Sequence, residues 1–169
     1  MPRMLLLMVF SLLTDCGSSN EIQPRALSFE REYGSGSGVA FSSSSQQVYG
    51  PITAVQIYET SSYISGIGLR FGTSWAYYGG SSGTRIEWYL LQDEHITQVS
   101  GKTASYVNEL IFLTNKGRMF RAGVSSGTSF NSFPLYSGSV LRFVSGRYSS
   151  SILTSIGFHW DHYHVRNRS

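Results

Sequence analysis

VSGRYSSSILTSIGFHW, residues 144–160, decides the fold of this chain. It opens as a glycine-led serine segment and becomes an alternation of apolar and polar residues, the spacing of a strand with one buried face. An earlier copy, VSGKTASYVNELIFLT, begins at Val99, an offset of 144 − 99 = 45. A further cousin, YISGIGLRF, begins at Tyr63 and precedes YVNELIFLT by 106 − 63 = 43. When the copies are superposed, Ile67, Leu110 and Ile156 coincide, as do Leu69, Phe112 and Phe158. Each pair lies two residues apart on one strand face. A period in the forties is the length of about four short strands, and such units bury their apolar faces only against one another. The expectation is an all-β chain of three four-stranded antiparallel sheets around a shared core, with pseudo-threefold symmetry.

Composition agrees. At 169 residues the chain is long enough for one domain with a real core. Charged residues make up only 14%, aromatics another 14%, and Gly and Ser are abundant, which favours strands and tight turns over helices. Pro51 opens a strand and Pro134 falls in a connection, where proline is tolerated. GTSW, NKGR and YSGS supply turn signals between strands.

The N-terminus reads as a secretory signal peptide over residues 1–17: Arg3, then the apolar run MLLLMVFSLL from Met4 to Leu13, then small residues at Gly17, Ser18 and Ser19. That run is about half of the roughly 20 residues a membrane span needs, so an exported protein without a transmembrane segment is expected. Cys16, the single cysteine, departs with the peptide; Asp15 before it fits a lipid-anchor signal poorly. Residues 18–31 read as an irregular leader, 32–162 as the domain and 163–169 as a tail, where Asn167 opens a terminal sequon. Loss of Arg3 and Asp15 leaves the formal charge at +3, well short of a nucleic-acid binder's.

EYGSGSGVAF, GPITAVQIY, VSGKTASYVNELIFLTNKGRMF, SSGTSFNSFPL, VLRFVSGR and SIGFHWD, in that order, resemble the secreted animal jacalin-related lectins. The resemblance spans about residues 32–161 and implies a β-prism that binds sugar at one end through three loops. It assigns to that site a glycine-rich loop (Gly34, Ser35, Gly36, Ser37, Gly38), a turn in a later repeat (Lys116, Gly117, Arg118, Met119), and the serine segment Arg147, Tyr148, Ser149, Ser150, Ser151, Ile152, Leu153 and Thr154. Mannose-binding members of the family usually carry Gly-x-x-x-Asp in the last of these. Here that frame reads Ser150-Ser151-Ile152-Leu153-Thr154, without the glycine or the acid, in a loop one residue longer.

A hydrogen bond to an ionised acceptor contributes about 1.5–3 kcal/mol, against about 1 for a neutral one, so threonine in place of aspartate weakens a mannose site by tenfold or more. Asp161 is too far along the strand to substitute, roughly 23 Å at 3.3 Å per residue. Backbone amides, the serine hydroxyls and the Tyr148 face remain as sugar-binding materials. Lys116, Arg118 and Arg147 tilt the expectation toward anionic glycans, sulfated glycosaminoglycans among them, held by a lectin outside the cell or in a secretory-granule lumen. The alternative is a secreted protein-interaction or granule-packing protein that has lost sugar binding.

Catalytic signatures do not surface. GSGSG at Gly34 lacks the third glycine and the helix start of a nucleotide loop. Adjacent Asp93 and Glu94 would point to opposite strand faces, so a turn is their simpler home. His159, His162 and His164 form a cluster short of a full metal-ligand set. Neither an enzyme nor a cofactor is expected.

Overall fold

The computed structural model describes residues 27–162, so the segments expected as signal peptide (1–17) and tail (163–169), and most of the expected leader, lie outside the described residues. Twelve strands run in chain order: β1 (Glu32–Gly34), β2 (Val39–Ser42), β3 (Ile52–Glu59), β4 (Ile64–Phe71), β5 (Ser74–Gly79), β6 (Thr84–Tyr89), β7 (Ile96–Thr103), β8 (Val107–Thr114), β9 (Met119–Gly123), β10 (Thr128–Ser132), β11 (Ser139–Ser149) and β12 (Ile152–His162), with a 3-10 turn over Ser44–Tyr49. They form three four-stranded antiparallel sheets, ordered β1-β12-β11-β2, β5-β4-β3-β6 and β10-β7-β8-β9. These are called the first, second and third sheets below.

The sheets close into a ring. Between the first and third, the Tyr33 ring stacks on Phe130 at 4.4 Å. Phe41 stacks on Tyr78 at 4.5 Å where β2 meets β5, and Trp88 on Phe120 at 5.4 Å where β6 meets β9. The six superposed residues of the repeat all point inward, and none is more than 1% exposed. Burying each such side chain stabilises the fold by about 1.5–3 kcal/mol. No sheet can do this alone, because its apolar face finds cover only on the other two.

Residues 27–31 are irregular but seated. Ser28 exchanges backbone hydrogen bonds with Trp160, each 2.9 Å. Phe29 then stacks on His159 at 4.2 Å, while Phe143 stacks on the same imidazole at 4.1 Å. Burial between the two rings lowers the His159 pKa, against the opposing field of Glu32.

Candidate functional site

At one end of the prism each sheet contributes a hairpin turn and a crossover loop. The hairpin turns are residues 60–63, 104–106 and 150–151; the crossovers are 35–38, 80–83 and 124–127. Contacts between sheets fix this common apex: Asn108 Nδ2 donates to the Ser62 carbonyl at 2.8 Å, Tyr63 and Tyr106 rings lie 5.5 Å apart, and Gly80 abuts Ser151.

The glycine-rich loop and the serine turn therefore do meet at one tip. Their geometry differs from the sequence expectation in one respect. β11 extends through Ser149 and β12 begins at Ile152, so the serine segment is mostly strand, and its turn is only Ser150 and Ser151. Ser150 supplies the reversal with φ of 55°.

Thr154 is the extra residue of a β-bulge, since Arg147 pairs with Ser155 while Tyr148 pairs with Leu153. The bulge turns its side chain inward to 1% exposure, where the hydroxyl donates to the Ser37 carbonyl. Leu153 is likewise buried in the core. Neither side chain faces a ligand at the surface.

Lys116, Gly117, Arg118 and Met119 do not join the apex. Lys116, Gly117 and Arg118 lie in the turn between β8 and β9 and Met119 opens β9, a place that the antiparallel register carries to the opposite end of the third sheet from residues 104–106. There Arg118 Nη1 bonds Glu94 Oε2 at 2.7 Å and its guanidinium lies 4.6 Å from the Phe120 ring centre. Glu94 is 2% exposed and also accepts from the Leu91 N–H and the Thr114 hydroxyl, each at 2.7 Å. Burial alone would raise its pKa; those bonds and the Arg118 charge outweigh it and hold the carboxyl below its usual value. Asp93 sits in the expected turn with φ of 57°, its backbone carbonyl accepting from Asn115 Nδ2 at 3.0 Å, and Glu94 alone of the pair bonds Arg118.

The β7–β8 turn, Ala104-Ser105-Tyr106, occupies the apex position that the sequence reading gave to the Lys116 turn, and all three residues are exposed. A signal for it was present. Each crossover is bracketed by two glycines, Gly34 and Gly38, Gly79 and Gly83, Gly123 and Gly127. The first of each pair has positive φ, 126°, 87° and 90°, and packs on the backbone carbonyl of the bulge residue Thr154, Ser65 or Asn108. A Cβ there would lie 2.1, 2.6 or 2.0 Å from that oxygen, so only glycine fits. The next residue's N–H donates to the same carbonyl: Ser35 to Thr154 at 3.0 Å, Gly80 to Ser65 at 2.8 Å and Val124 to Asn108 at 2.8 Å. The hairpin preceding each bulge therefore belongs to the same apex.

At the tip Gly36 has nothing within 4 Å of where a Cβ would sit, leaving its backbone open to approach. Ser35 and Ser37 hydroxyls lie 3.2 Å apart, and Arg147 Nη1 donates to the Gly38 carbonyl at 3.2 Å. The arrangement is a rigidly bracketed loop of amides and hydroxyls beside one guanidinium.

A jacalin-like lectin domain matches residues 31–159. The chain belongs to that family. It is 47% identical over 161 residues to zymogen granule membrane protein 16 of Rattus norvegicus, covering 95% of this chain and 96% of that protein. The Homo sapiens protein of the same name is 45% identical over the same shares. Among solved structures, a prostate-specific WGA16 glycoprotein lectin superposes with a TM-score of 0.72 at 29% identity, covering 81% of this chain and 100% of that one. The fold and the family point to carbohydrate binding as the function of this lectin domain. Among the described residues, no helix is long and apolar enough to cross a membrane.

Proposed function

We propose that this jacalin-like lectin binds glycans at the prism apex, using the backbone and hydroxyl groups of Ser35–Gly38, the Ser150-Ser151 turn and the Ala104–Tyr106 turn, with Arg147 as the cation beside them. The carrying observation is the open Gly36 backbone held between two glycine brackets, a rigid cradle for hydroxylated ligands. Thr154 supplies no ionised acceptor, and its hydroxyl is engaged inside the loop. Affinity for plain mannose is accordingly low.

Of the three cations that favoured anionic glycans, two sit at the other end and Arg118 is held by Glu94. Preference for sulfated or sialylated sugars rests on Arg147 alone. The names of the zymogen granule relatives support an exported protein of secretory granules.

Titration of the secreted domain with mannose and with heparin tests this reading. Heparin should bind and mannose only weakly, with Arg147→Gln reducing the heparin response alone. No response to either ligand would leave the granule-packing alternative, which the internal engagement of Thr154 favours.

A further inference from the structure

The outer face of the second sheet carries a trough that the apex does not use. Its central strand β4 places Gly66 and Gly68 on this face, where side chains would otherwise stand. Cross-strand partners put Tyr58 beside Gly66 on β3 and Tyr77 beside Gly68 on β5. A Cβ at Gly68 would lie 2.6 Å from the Tyr77 ring, so that ring lies flat over the glycine. Its position is fixed by the missing side chain, yet Tyr77 remains 54% exposed.

Toward the apex the trough opens into a concavity of about 280 Å³ whose walls include Tyr58, Tyr77, Gly79, Gly80, Ser81 and Ser151. No charged side chain lines it. Away from the apex the face is mixed: Trp75 stacks on Tyr77 at 5.5 Å, Tyr89 meets Trp75 edge-on at 6.4 Å, and Arg70 lies over the Tyr89 ring at 5.9 Å, with the Arg85–Glu87 ion pair on β6 beside them. In the row of Tyr77 and Gly68 lies Gln56, 1% exposed, whose Nε2 has no hydrogen-bond partner among the described residues.

We propose that this trough is a second carbohydrate site, taking a neutral pyranose of an oligosaccharide, with the sugar's C–H face against Tyr77 and its hydroxyls toward Ser81, Ser151 and the Gly79-Gly80 backbone. Three features select this occupant. Within the concavity itself, aromatic walls with no charged side chain match a ring that is apolar on its faces and hydroxylated at its rim. The volume suits one or two sugar rings. Ser151 belongs both to this concavity and to the apex turn, so a chain bound in the trough extends toward the tip. The site does not depend on binding at the apex.

The test is titration of the secreted domain with mannotriose and with triacetylchitotriose, read by heat and by tryptophan fluorescence. At least one trisaccharide should bind with a fluorescence change that Trp75→Phe abolishes. Tyr77→Ala should weaken that binding about tenfold and Tyr77→Phe should retain it. Because Tyr77 is exposed, both variants are expected to keep the parent melting temperature. Absence of trisaccharide binding, equal binding by Tyr77→Ala, or a dimer that Tyr77→Ala dissociates would overturn the proposal. Trisaccharide binding that is unmoved by Tyr77→Ala and displaced by free mannose would assign all binding to the apex instead.

Discussion

Thr154 and Ser65 hold the same place in two repeats and close the same bond. Each is the extra residue of a bulge, and each hydroxyl donates to a carbonyl of its own sheet's crossover loop, Thr154 to Ser37 and Ser65 to Ser82, the latter at 2.6 Å. The position where the family resemblance led to the expectation of an acid is here a structural tie. Replacing Thr154 by Val removes one buried hydrogen bond and should cost about 1 kcal/mol. Thr154→Asp sets a buried carboxylate against the Ser37 carbonyl and should cost about 2 kcal/mol at neutral pH. Its carboxyl pKa would be raised in the folded state, so this penalty is present above the folded pKa and disappears as pH falls and the acid becomes a donor. Melting temperatures of both variants between pH 7 and pH 4 check this; a Thr154→Asp protein as stable as its parent at pH 7 would show that the tie is unimportant.

The glycine brackets make a graded prediction. Gly34→Ala, Gly79→Ala and Gly123→Ala each combine positive φ with a clash on a backbone oxygen, and should destabilise by at least about 2 kcal/mol. Gly36→Ala has open space and bears only its φ of 71°, about 1 kcal/mol. Urea midpoints of the four variants should separate into those two groups.

Glu94 and Arg118 stabilise the end remote from the apex. Arg118→Ala leaves a buried carboxylate with two of its three described bonds and should cost about 1.5–3 kcal/mol, without altering heparin binding. Because the folded Glu94 pKa lies below its unfolded value, its contribution is full above the unfolded pKa and is lost as pH falls through the folded one. The stability difference between parent and Arg118→Ala should narrow as pH drops below about 4. A loss of heparin affinity in Arg118→Ala would return this turn to the binding site.

His159 adds a second acid-sensitive element. Burial between Phe29 and Phe143 keeps the imidazole neutral, so its contribution is present above the unfolded pKa near 6.5 and falls away as pH drops through the lower folded value. His159→Gln should flatten the dependence of melting temperature on pH between 7 and 5. An unchanged slope would place the sensitivity elsewhere.

The sequence by itself determined the three sheets. A strand's alternation is a local property, and its recurrence at Ile67, Leu110 and Ile156 left those faces no cover except one another. It also determined that the Gly34–Gly38 loop precedes a strand and that the acid is absent at Thr154. Only the tertiary structure decided which turns share an end. The Lys116 turn and the Ala104 turn flank the same strand β8, and nothing local distinguishes them; antiparallel pairing sends one to each end of the prism. The bulge that turns Thr154 inward, and the trough that Gly66 and Gly68 open beneath Tyr77, likewise arise from pairing between strands distant in sequence, so neither could be read from residues taken in order.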